Sequence, residues 1–416
     1  MGKTENIMEE QKSFQKGILC GIGVTLAVAL FLFLGFQVLL AANGEGLFVP
    51  KQEDRLDLTN DQVNEKMEEI QSLINRYYLN EVDQQQVEDL IYTGLIYGLD
   101  DPYAAYYTKE EYQSLMDSSS GSYCGIGAMF SQDMTTGIIT VVRVYEGFPA
   151  MEAGMQPGDI LFAVEGEEAT GQDLSKLVSN IKGEEGTLVQ LTMVREGETD
   201  YVELEVERRP IEIPTVEAEL LEDGIGYIAV SEFDLVTSEQ FALALENLQA
   251  QGMEGLILDL RDNGGGVVQA VVEMADLLLP EGLIVYTEDK NGTRSEAHSD
   301  AEHYFDQPLV VLVNGNSASA SEILAGAIKD YEIGTLVGTQ TYGKGIVQQS
   351  FRLSDGTALK LTISKYYTPE GNDIHGVGIA PDVEVELTKE LQNQAVIAHE
   401  EDNQLQKALE VLKEKM

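Results

Sequence analysis

Three short segments of this 416-residue chain carry residue types that can perform hydrolysis. The first, Asn314-Gly-Asn-Ser-Ala-Ser-Ala-Ser-Glu322, joins an apolar strand-like run, Leu309 to Val313, to an apolar-faced helical one containing Ile323, Leu324, Ala327 and Ile328. Small residues at a strand-to-helix turn let one side chain stand at the carboxyl end of a sheet, beside the free N–H groups of the helix. A serine placed there gains backbone donors for an oxyanion. It can equally be a plain helix cap. The second segment, Tyr342-Gly-Lys-Gly-Ile-Val-Gln348, holds a lysine between two glycines. Such a lysine serves a serine nucleophile as base once burial lowers its pKa, and is otherwise a solvated loop residue. The third, Arg261-Asp-Asn-Gly-Gly-Gly266, follows an apolar strand, and its glycines can aim backbone N–H groups into a cavity.

Other chemistries find less support. The chain has four histidines; His298, His303 and His399 lie in polar or terminal stretches, and His375 reads as structural. There is no H-E-x-x-H, no paired cysteine and no histidine cluster, so neither a metal nor a cofactor is expected.

The elements that must position these segments follow from periodicity. From Glu212 onward apolar strands alternate with helices: Ile225 to Val230, a helix near Thr237 with Phe241, Leu245 and Leu248 on one face, then Gly255 to Leu260, a helix from Val267 to Leu279, and Leu309 to Val313. That rhythm predicts a mostly parallel sheet flanked by helices. Between Tyr123 and Arg208 the pattern is β with turns, including a hairpin about Glu196-Gly197. Residues 56–118 read as a small helical region, Ser118 to Gly121 as a hinge, and Thr388 to Met416 as an amphipathic helix.

The net charge of −46, from 26 basic and 72 acidic side chains, repels phosphate backbones, so no nucleic-acid partner is expected. Residues 17–42 run for 26 positions without a charge. At about 1.5 Å per residue that run crosses about 30 Å of hydrocarbon, so it is read as a single-pass signal anchor. Residues 1–16, with Lys3, Lys12 and Lys16, are then the cytoplasmic tail and the bulk is extracytoplasmic. Cys20 and Cys124 fall on different sides of that boundary, which leaves no intrachain disulfide.

The three segments, in order, resemble the carboxyl-terminal processing (tail-specific) proteases, serine endopeptidases with a Ser/Lys pair. Tyr367-Thr-Pro-Glu-Gly371, Gly376-Val-Gly-Ile-Ala-Pro-Asp382, Gly98-Leu-Asp-Asp-Pro-Tyr103 and Phe148-Pro-Ala-Met-Glu-Ala-Gly-Met-Gln-Pro-Gly-Asp159 are similar to the family as well, the last to its PDZ domain. The resemblance spans about residues 60–385. It implies an α/β core of the ClpP/crotonase type at 209–387, an inserted PDZ domain at 119–208, a helical region at 56–118 and a terminal helix at 388–416.

It further implies Ser319 as nucleophile, with Ser317 and Ser321 as rivals, Lys344 as base, and Gln348 as the residue that orients the lysine. The backbone N–H groups of Ala320 and of the Gly264-Gly265 turn would form the oxyanion site. Cys124, Gly125, Ile126 and Gly127 would lead into the peptide-binding strand of the PDZ domain, with Ile126, Met129 and Phe130 as its apolar pocket and Lys182 as a latch to the core. Partners would be protein or peptide substrates with free C-termini, and a second copy paired through 56–116 and 388–416. A catalytically silent PDZ scaffold, or a crotonase-like acyl-thioester enzyme, is the alternative.

Overall fold

The computed structural model describes residues 56–416 except 301, 303, 393, 395 and 396. The expected tail and anchor, 1–42, lie outside the described residues. Among the described residues no helix is long and apolar enough to cross a membrane.

Among the described residues, 56–83 form one unit and Gln84 to Met416 another. In the first, the helix Asp61–Tyr77 starts at Asn60, whose side chain accepts from the Val63 N–H. None of its residues is buried, and Met67, Ile70, Leu73 and Ile74 are exposed.

The second unit opens with the helix Gln84–Tyr97, the strand Ala105–Tyr107 and the helix Lys109–Ser120. A capping box between Thr108 and Glu111 starts this last helix, and Gly121, with φ +64°, ends it in the left-handed region. The expected hinge at Ser118 to Gly121 is therefore a helix end; a strong cap at Thr108 carries the helix through all three serines.

A two-stranded antiparallel ribbon, Ser122–Gly125 with Arg209–Glu212, carries the chain into and out of the PDZ domain. Inside it, the strands Ala128–Gln132, Ile139–Val144, Ile160–Val164, Leu188–Val194 and Val202–Glu207 form a sheet in that spatial order. The helix Leu174–Ile181 closes a separate core of Ile139, Val141, Leu161, Leu177, Leu191 and Met193.

The main sheet runs in the order Val216–Leu220, Ile225–Val230, Gly255–Asp259, Leu309–Val313, Thr335–Gly338, Val383–Glu384. The first pair is antiparallel and every later pair parallel. Its central strands are apolar throughout because both faces are covered. Ile228, Val230, Leu258, Val311 and Val313 face the helices Thr237–Ala250, Val268–Asp276 and Ala320–Asp330. Ile225, Ile257, Val310, Leu312 and Val337 face Leu405, Ala408, Val411 and Leu412 of the helix Asn403–Lys413.

That helix is shorter than expected: it begins only after Asp402, whose carboxylate accepts from the Gln404 and Leu405 N–H groups. Its apolar face is spent on its own sheet, against the expectation that 388–416 pairs with a second copy. A further antiparallel sheet was not foreseen. In it the long strand Ala358–Tyr367 pairs with Ile346–Arg352 along one edge and with Ala105–Tyr107 and Gly282–Asp289 along the other.

Candidate active site

The three serines of the Ser317-Ala-Ser-Ala-Ser321 turn have separate fates. Ser317 is fully buried; its hydroxyl donates to the Leu260 carbonyl at 2.7 Å and accepts from the Asn314 N–H at 3.0 Å. Ser321 is also fully buried and donates to the Asn263 carbonyl at 2.9 Å. Ser317 thus ties the turn to Leu260, and Ser321 ties it to the Arg261–Gly266 loop. Ser319 is half-buried, and alone of the three it has a strained backbone, φ +54° and ψ −111°. A non-glycine residue held there costs on the order of 1–3 kcal/mol, so its surroundings must fix it. They do: its carbonyl accepts from Glu322 N–H, Ile323 N–H and the Tyr366 hydroxyl at 2.9–3.0 Å, and its own N–H donates to Glu322 Oε2.

Ala320 begins the helix behind Ser319, so its N–H belongs to the first turn and has no helical acceptor. Gly265, at φ +102°, lies against the same place. A Cβ on it would sit 2.7 Å from the Ala318 carbonyl, 2.8 Å from Ser319 Cβ and 2.9 Å from Ala320 N, so only glycine fits. Its N–H is spent on Asn263 Oδ1 at 2.9 Å, whereas the Gly264 N–H has no protein acceptor among the described residues. Buried Asn263 is the staple here. Its amide donates to the Val230 carbonyl at 2.8 Å, and its own carbonyl accepts from Ala318 N–H at 3.0 Å and from Ser321.

The lysine loop is attached to the serine turn through one carboxylate. Glu322, fully buried on the first turn of the helix Ala320–Asp330, accepts on Oε1 from the Thr341 hydroxyl (2.6 Å) and the Gly343 N–H (2.7 Å). On Oε2 it accepts from the N–H groups of Ser319 (2.9 Å) and Lys344 (2.8 Å). Four donors replace the water that burial removes. Sequence reading passed over Glu322 because its position, three residues after Ser319, has the ordinary spacing of a helix-capping glutamate.

Burial lowers the Lys344 pKa from the ordinary lysine value; the nearby Lys360 charge lowers it further, and Glu322 opposes both. Its amino group lies 4.8 Å from the ring centre of Tyr103, and among the described residues it makes no hydrogen bond or ion pair. The structure thus holds the Ser319 and Lys344 backbones together without a bond between Ser319 Oγ and Lys344 Nζ. Gln348 is on the strand after Lys344, but its amide nitrogen donates to the Thr362 hydroxyl at 3.4 Å and its Oε1 accepts nothing from the lysine. His375 is exposed, with its backbone against Gly345.

In the PDZ domain, Cys124 and Gly125 pair with Pro210 and Arg209 in the connecting ribbon, so their strand is already matched. Ile126 is buried in the domain core, and Gly127, at φ +75°, turns the chain into the strand Ala128–Gln132. That strand pairs on one side only, with Ile139–Val144, and leaves an open edge. Met129 is exposed beside half-buried Phe130. Lys182 does not reach the protease core. It pairs instead with Asp117 of the helix Lys109–Ser120 at 3.3 Å, and its amino group lies 4.7 Å from the Tyr123 ring centre.

Residues 224–385 match Peptidase family S41, and residues 140–195 match the PDZ domain. A carboxyl-terminal-processing protease of Synechocystis sp. is 39% identical over 318 residues, 76% of this chain and 74% of the relative. The carboxy-terminal processing proteases CtpA and CtpB of Bacillus subtilis are each 34% identical, over 79% of this chain and 70% and 69% of their own lengths.

Proposed function

Since this chain belongs to peptidase family S41, with carboxyl-terminal processing proteases as relatives, it is a serine-type peptidase, and we propose that Ser319 and Lys344 are its catalytic pair. The observation that carries this reading is the Glu322 carboxylate, one oxygen of which joins the two residues' N–H groups. Ser317 and Ser321 are consumed by carbonyls of the neighbouring loop, which favours Ser319 over both.

In the reaction, Ser319 Oγ attacks the scissile carbonyl while neutral Lys344 Nζ takes its proton. The carbonyl oxygen becomes an oxyanion facing the Ala320 and Gly264 N–H groups. Lys344 then gives the proton to the departing amine, and water, deprotonated in the same way, releases the acyl group from Ser319. For the proton to move, the amine must leave the Tyr103 ring and turn to Ser319; Gln348 orients it there. The alternatives weaken on the same site: a silent scaffold has no need of a strained serine, and the PDZ match argues against an acyl-thioester enzyme.

The further reading is a membrane-anchored endopeptidase, held by residues 17–42 with its catalytic part outside the cytoplasm, that recognises substrate C-termini through the PDZ domain. The open edge of the strand Ala128–Gln132 supports it, because a peptide can add there as an extra strand. A homodimer through the exposed apolar face of Asp61–Tyr77 belongs to the same reading. The test uses purified full-length protein and one peptide as its free acid and as its C-terminal amide. Cleavage lost in Ser319→Ala, and a lower kcat/KM for the amide, support the proposal. Turnover in Ser319→Ala overturns the catalytic assignment, and equal kcat/KM for acid and amide overturns C-terminal recognition.

A further inference from the structure

The segment before the PDZ domain reaches the lysine loop. Tyr103 is set by two local constraints: its N–H donates to Asp101 Oδ1 at 2.9 Å, and the strand that follows it pairs Ala105 with Lys360. The Tyr342 side chain, inside the lysine loop, together with burial raises the Tyr103 phenol pKa above the ordinary tyrosine value. Its ring is the partner of Lys344 Nζ. Two positions beyond Ala105, the Tyr107 ring lies 5.4 Å from Lys360 Nζ. One short segment therefore seats both lysines on aromatic faces. The ring of a tyrosine attracts an ammonium and offers nothing comparable to a neutral amine.

We propose that Tyr103 is a positioning residue for Lys344, its ring holding the amino group as ammonium in a resting seat from which a proton must be lost before the lysine can serve Ser319. The inference rests on the reading of Lys344 as the base. The groups facing Lys344 then act in two directions. Burial and the Lys360 charge favour the neutral amine, while Glu322 and the Tyr103 ring favour the ammonium. The proton leaves to solvent, and the amine, no longer held by the ring, is free to turn to Ser319. Tyr103 thereby sets the pH at which the enzyme turns on, and the strand Ala105–Tyr107 couples that setting to Lys360.

The experiment is the pH profile of kcat/KM for the full-length protein. Replacing Tyr103 with leucine keeps an apolar neighbour but removes the quadrupole, so the acid limb moves to lower pH by about 0.4–1.5 units. At a fixed pH on that limb the variant is then about 3- to 30-fold faster than wild type relative to its own plateau. Tyr103→Phe keeps the ring and returns the limb to the wild-type position. A 3,4,5-trifluorophenylalanine at 103 keeps the ring's shape with a weakened quadrupole, guards against a leucine variant that fails to fold, and moves the limb down again. Profiles of the leucine and trifluorophenylalanine variants that superimpose on wild type, or move to higher pH, overturn the proposal. Lys344→Ala, run alongside, separates the two readings: if it turns over normally, the base assignment has failed and not merely the role of Tyr103.

Discussion

The backbone N–H groups of Ser319 and Lys344 donate to the same atom, Oε2 of Glu322, at 2.9 and 2.8 Å. Two loops 25 positions apart in sequence, at 319 and 344, are thereby held in one register by a single buried side chain. Their backbone geometry is fixed before any substrate arrives, while the lysine amino group rests over the Tyr103 ring.

Glu322→Gln tests that arrangement. The amide turns one of two acceptor oxygens into a donor, which then faces either Ser319 and Lys344 N–H or the Gly343 N–H. We expect a loss of about 1.5–3 kcal/mol in urea-unfolding stability. The drop in kcat is expected to be about 100-fold with a smaller change in KM, because ground-state binding does not use this carboxylate. Unaltered kcat would show that the two loops keep their register without it.

Gly265→Ala acts on the other side of the serine. The new methyl meets the Ala318 carbonyl and Ala320 N at under 3 Å, at a φ that alanine resists. The turn must then retreat from Ser319 and carry the Gly264 N–H with it. A fall in kcat/KM of about 10²-fold is expected in steady-state assays, comparable to losing one oxyanion donor. Wild-type kinetics in this variant would remove the turn from the oxyanion site.

Activity should rise with pH. A base works only when neutral, and Lys344 is held below the ordinary lysine range by burial and by Lys360. The acid limb therefore lies below about pH 10.4. Lys360→Met removes the helping charge and moves the limb up. A profile flat from pH 5 to 9, or a limb that Lys360→Met moves down, contradicts this.

The C-terminal helix is latched to Arg261, three residues before Gly264. Arg261 bonds Asp259, Asp402 and Gln404 at once, with Asp402 Oδ2 at 2.8 Å. Burial pushes the Asp402 carboxyl up, but the Arg261 hydrogen bonds and charge outweigh it and hold the carboxyl below the usual range. The stability from this depressed group is present above the unfolded carboxyl pKa of about 3.9 and is lost as pH falls through the folded value. Asp402→Asn is therefore expected to cost about 1.5–3 kcal/mol at neutral pH, a deficit that shrinks below about pH 4. Chemical unfolding of both proteins at pH 7 and pH 3.5 reads it; an equal deficit at both values would mean the charge is not what matters.

How much of this was legible in the sequence depended on range. Ile225 to Val230, Gly255 to Leu260 and Leu309 to Val313 read as buried parallel strands because each is apolar on both faces. The second sheet did not, because Ile346–Arg352 and Ala358–Tyr367 mix polar and apolar residues as half-exposed strands do, and their partners lie far along the chain. The stretch after Thr388 read as helix from its Glu, Gln and Leu content, yet only the cap at Asp402 starts one. At the site, the serine turn and the lysine loop stood out by their small residues, while the choice of Ser319 and Lys344 came from the family resemblance. The positive φ of Ser319, the four donors on Glu322 and the Tyr103 ring were not legible, since each depends on a contact made only after folding.

The central claim is that Ser319, activated by Lys344, is the atom that attacks. Treating the protein with a serine-directed fluorophosphonate and mapping the adduct by peptide mass spectrometry tests it directly. The account predicts a single adduct, on Ser319, that forms at least 100-fold more slowly in Lys344→Ala, in keeping with about 10²–10⁴-fold for a general base. An adduct on Ser317 or Ser321, or labelling of Ser319 at an unchanged rate in Lys344→Ala, would contradict it.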